Sequence, residues 1–134
     1  MEVTGVGGLI YQLNANGHAG FGTTASSIYA IQACGSIRAE EVIVETGWCD
    51  FVFDADYQLA PLSDVESFIK TNKHLPGIPS AAEVEGNGLP LAAMSANFMQ
   101  KIEELTLYTI DQEKEIDGLK AELADIKAML SAGK

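Results

Sequence analysis

"FMQKIEELTLYTIDQEKEIDGLKAELADIKAML", Phe98 to Leu130, decides how this chain folds. Phe98, Leu105, Gln112, Leu119 and Ile126 fall on position d of a seven-residue repeat, and Ile102, Thr109, Ile116, Leu123 and Leu130 fall on position a. Only Thr109 and Gln112 are polar among them. The default role of such polar core residues is to set register. A helix over this span is roughly 50 Å long at 1.5 Å per residue. Glu115 at g precedes Lys120 at the next e, and Glu122 precedes Lys127 in the same way. Such pairs meet across a parallel interface, so the pattern predicts chains running side by side. Leu123 at a with Ile126 at d leans away from a dimer, and a trimer is the expected state. An antiparallel hairpin within the chain would also bury such a stripe, but the sequence holds no second helix of matching length; a surface helix packed on its own domain is the competing reading.

Upstream, "HLPGIPSAAEVEGNGLPL" (His74–Leu91) makes a stiff corner. Pro76 and Pro79 fix φ and restrain the residues before them. Ser80 and Glu83 have capping-box spacing, and Gly86 and Gly88 can stop the short helix between. "PLSDVESFIKTN" repeats the spacing at Ser63 and Glu66 and places Val65, Phe68 and Ile69 at helical intervals. Lys70 and Lys73 sit near its end, where the helix dipole favours cations. Leu107 and Ile110 lie off the a/d seam, so the helical insert is expected to pack back against that part of the long helix. The prolines lower the entropic cost of that return path.

The first third reads differently. Leu9, Tyr11 and Leu13 alternate, "NANG" is a turn because Asn and Gly tolerate positive φ, and "SIYAIQACGSI" and "EEVIVETGWCDFVF" supply further short strands. Small residues such as Ala15, Ala19, Gly20, Gly22 and Ala33 are too common for these strands to build a core alone. Strands of this kind find partners in another chain or a repeat. The expected architecture is therefore α+β and trimeric. Residues 1–53 form the end of a β-structured shaft, 54–90 a helical insert with its proline corner, and 91–134 a parallel coiled coil.

Composition bounds the function. The chain has 134 residues, 47% hydrophobic, with a net charge of −11. Before Asn97 the only cations are Arg38, Lys70 and Lys73. Phosphate and anionic membrane surfaces need clustered cations, so neither nucleic acid nor membrane is an expected partner. No apolar run has the length of a membrane span. Met1 opens directly on strand-like sequence without a basic n-region, which leads us to expect a piece of a longer chain. Cys34 and Cys49 are too few for a disulfide framework or a zinc site, although a bridge between them stays open.

The order of these parts resembles the C-terminal region of tail-fibre-like and adhesin-like trimeric proteins of Bacteroidetes and their phages. The resemblance rests on "NANGHAGFGTT", "GSIRAEEVIVET", "WCDFVFDADYQLAPLSDVESFIKTNKHLPGIPSAAEVEGNGLPL" and the coil. It implies a homotrimeric fibre end, extracellular or on a virion or injection device. A more distant likeness is to the intramolecular chaperone domain of phage tail spikes and endosialidases, many of which cut themselves off with a Ser and a Lys. In the matching stretch "ADYQLA", Ala55 and Ala60 stand at those positions. Neither can act as nucleophile or base, which implies no self-cleavage.

Catalytic signals are weak, and the expectation is a non-enzyme without cofactor. Ser63 and Asp64 are explained as a helix cap. Asp50, Asp54 and Asp56 lack the closely spaced ligands of a calcium loop. His74 has no partner nearby in sequence. His18 could meet its copies on a three-fold axis and hold a metal, an uncommon arrangement. For binding, Trp48 and Tyr57 flank the junction of shaft and insert and could stack on a sugar ring, which would make the module a receptor-binding tip for a host glycan or protein. Against this, Trp48 also suits the role of anchor for the insert's core.

Overall fold

A computed structural model describes residues 1–5, 8–45 and 51–132. The chain divides into two compact units, Met1–Ile43 and Val44–Lys134. The fold is mixed α+β, with a four-stranded sheet in the first unit and a long helix in the second.

In the first unit, β1 (Glu2–Gly5), β2 (Gly8–Leu13), β3 (Ala19–Phe21) and β4 (Ile31–Ala33) lie in the order β1-β2-β3-β4. β1 and β2 are antiparallel, with a register shift between Val3 and Thr4. β2 and β3 are antiparallel, and β3 and β4 are parallel. The "NANG" turn forms as expected. Asn14 Oδ1 accepts from the backbone N–H groups of Asn16 and His18, both at 3.0 Å, and Gly17 takes φ 82°. A parallel pair needs a crossover, usually helical. Here the crossing segment is instead tied down by polar side chains. Asn14 Nδ2 and His18 Nδ1 both reach the Ser26 carbonyl, at 3.1 and 2.9 Å, and Ala25 N donates to Gln12 Oε1 at 2.8 Å.

The sheet is shorter than the sequence suggests. Of "SIYAIQACGSI" only Ile31–Ala33 pairs, and residues 41–45 and 51–53 form no strand. The physical cause is the one anticipated from the small residues. Among residues 1–4 and 11–43 this unit buries no hydrophobic side chain, and Phe21, Ile28, Tyr29, Ile31, Ile37, Val42 and Ile43 are exposed. Tyr11 and Phe21 touch at 5.8 Å between ring centroids, which is the main aromatic contact of this sheet.

The second unit holds α1 (Leu62–Asn72), α2 (Ala81–Asn87) and α3 (Leu91–Ala132). The capping box at Ser80 and Glu83 is complete in both directions. The one expected at Ser63 and Glu66 is absent. Pro61 is the N-cap of α1 and makes no side-chain cap, Ser63 lies inside the helix, and Glu66 pairs with Lys70 at 2.7 Å. Pro61 suits this place, since the N-cap residue's own N–H takes no part in the helix and its absence costs nothing there. Lys73 ends α1 in the left-handed region at φ 65°, with its N–H on the Ile69 carbonyl at 2.9 Å. The proline corner then closes a turn from Leu75 to Ile78, with Gly77 at φ 77°. Among the described residues of this unit, Val52 and Met94 are the buried hydrophobic ones.

Candidate functional site

α3 runs unbroken for 42 residues. Its a and d residues form one stripe, and every one of them is exposed. Exposure runs from 45% at Ile116 to 69% at Leu130, with Phe98, Ile102, Leu105, Leu119, Leu123 and Ile126 in between, and Thr109 and Gln112 are exposed as well. From Asp111 to Ala132 every residue of the helix is exposed. A helical arm of this kind has little stability in water by itself, because helices in proteins are held mainly by packing of an apolar face. An apolar stripe of this length, interrupted at Thr109 and Gln112, is also more than a soluble surface normally carries.

The insert lies along one flank of the upper helix. Tyr57 Oη donates to Glu104 Oε1 at 2.6 Å, Tyr108 Oη donates to the Ala60 carbonyl, and Asn97 Nδ2 donates to the Gly77 carbonyl at 3.2 Å. Packing of the insert against α3 was expected, but through Leu107 and Ile110. Leu107 is half-buried while Ile110 remains 46% exposed. The contacts run instead through Asn97 and Glu104 at position c, Gln100 at f and Tyr108 at g. The corner at Gly77 and the turn before α1 bring backbone carbonyls to that flank, and carbonyls need donors rather than aliphatic side chains.

Glu104 is the hub of this contact. Gln100 Nε2 donates to its Oε1 at 2.7 Å, and Lys101 Nζ reaches Oε2 at 2.7 Å and Oε1 at 2.9 Å. Both members of the Lys101–Glu104 pair are largely covered, at 18% and 15% side-chain exposure. Burial pushes the Glu104 carboxyl up, but the donors on Lys101, Tyr57 and Gln100 together outweigh it and hold the carboxyl below its ordinary range. Burial first, then the neighbouring Glu104 carboxylate, pushes the Tyr57 and Tyr108 hydroxyls up. Sequence reading missed this cluster. Its signal was available: Gln100, Glu104 and Tyr108 follow at four-residue intervals, so they share one face.

Between insert and seam lies an apolar groove of about 820 Å3, lined from the insert by Ala60, Leu62, Val65, Leu75 and Pro76 and from α3 by Phe98, Ile102 and Leu105. Groove and stripe are continuous, since Phe98, Ile102 and Leu105 belong to both.

The remaining candidates are placed as follows. Tyr57 packs on Phe51 at 5.8 Å between centroids and is half-buried, its hydroxyl committed to Glu104. Trp48, Cys49 and Asp50 lie outside the described residues. Cys34 is exposed. His18 is bound to Ser26, and His74 stands edge-on to Phe68 at 5.5 Å. Among the described residues no group of His, Cys, Asp or Glu is arranged to hold a metal ion, and no helix is long and apolar enough to cross a membrane. No family model, curated protein or solved structure matches the chain.

Proposed function

We propose that the chain is a non-catalytic trimerisation and folding module of a fibre protein, in which α3 forms a parallel three-stranded coiled coil with two other copies. The observation that carries this reading is the exposed a/d stripe from Phe98 to Leu130 on a helix that its own chain leaves uncovered. The g-to-e pairs Glu115–Lys120 and Glu122–Lys127 support the parallel direction. In the single chain Lys120 bonds Asp117 at 2.9 Å on the helix surface. Exposed pairs of that kind contribute about 0–1 kcal/mol, so little opposes a change of partner. In the first unit, no hydrophobic side chain of residues 1–4 and 11–43 is buried, which supports the second half of the reading, that its strands complete their core only when three chains are in register. The helix contacts are local and form fast, whereas pairing between chains is non-local and slow, so the coil would assemble first and the strands follow.

Light scattering after size exclusion tests this directly. The expected mass is about three times the 14.3 kDa of one chain. A mass of one chain at micromolar concentration overturns the reading.

A further inference from the structure

We draw no further inference here: the strongest candidate, the apolar groove between the insert and α3 beside Leu62 and Leu75, is an unpartnered face, and nothing in the structure shows what covers it.

Discussion

Glu104 gathers polar contacts where the insert meets α3. Its two oxygens collect donors from Tyr57, Gln100 and Lys101, joining the insert to α3. Glu104→Ala would leave these part-buried donors without their acceptor, and a loss of about 1–3 kcal/mol in insert docking is expected. Faster hydrogen exchange across 57–72 than in the unaltered protein, with α3 below Ile116 unaffected, would report it. The pH dependence follows from the lowered carboxyl. A carboxyl held below its unfolded value contributes stability that is complete above that value and is lost as pH falls through the folded one. Docking of the insert should thus be pH-independent near neutrality and weaken in acid, and an NMR titration should place the Glu104 midpoint below that of a free Glu, about 4.3. In the first unit the sensitive residue is Gly20. A Cβ there would lie 2.6 Å from the backbone nitrogen of Ala25 and closer still to the Thr23 carbonyl oxygen. Both are backbone atoms, which cannot turn aside as a side chain would, and Ala25 N is further held by Gln12 Oε1. Gly20→Ala is expected to cost about 1–3 kcal/mol, read as a lower urea midpoint for the sheet.

α3 is unusual among the elements because its upper and lower halves are held by different means. Above Asp111 it is packed on the insert, while from there to Ala132 every residue is exposed. Gly118 sits in the exposed half, at position c, away from the seam, and a Cβ there would meet nothing within 4 Å. Gly118→Ala should stabilise the helix by about 0.5–1 kcal/mol through reduced chain entropy, raising the melting temperature without altering oligomeric state. α1 and α2 show how far capping patterns can be trusted. The same Ser-x-x-Glu spacing occurs at Ser63 and Ser80, yet only Ser80 caps a helix. Pro61 starts α1 two residues earlier and carries Ser63 into the first turn. There its hydroxyl lies 3.4 Å from Asp64 Oδ1, and Glu66 turns to Lys70 instead.

For the assembled molecule the decisive variant is Ile116→Asp with Leu123→Asp, which places carboxylates at two adjacent a layers. Burying six carboxylates around one axis is prohibitive without partners, so the chains should separate. The expected result is a single-chain mass, a smaller helical signal by circular dichroism, and loss of protected amides in the four-stranded sheet. A folded trimer from this variant would contradict the reading. A monomer whose sheet stays protected would separate the two halves of it, keeping trimerisation and removing the dependence of the strands on the coil.

Much of this was legible in the primary structure because it rests on short-range rules. The seven-residue period of α3, the Asn-Gly turn at Asn14–Gly17, the Ser80 cap and the proline corner each depend on residues within a few positions of one another. The frequency of small residues among the strands of the first unit likewise pointed to a sheet that does not build a core alone. The tertiary structure alone decided which flank of α3 receives the insert, that Tyr57 is spent on Glu104 rather than displayed, and that Leu62 and Leu75 stand open beside the seam. These depend on where Tyr57 and the backbone carbonyls of Ala60 and Gly77 arrive beside α3. Periodicity identifies the face of a helix that seeks a partner, but hydrogen-bonding groups brought from a distance determine which partner sits beside it.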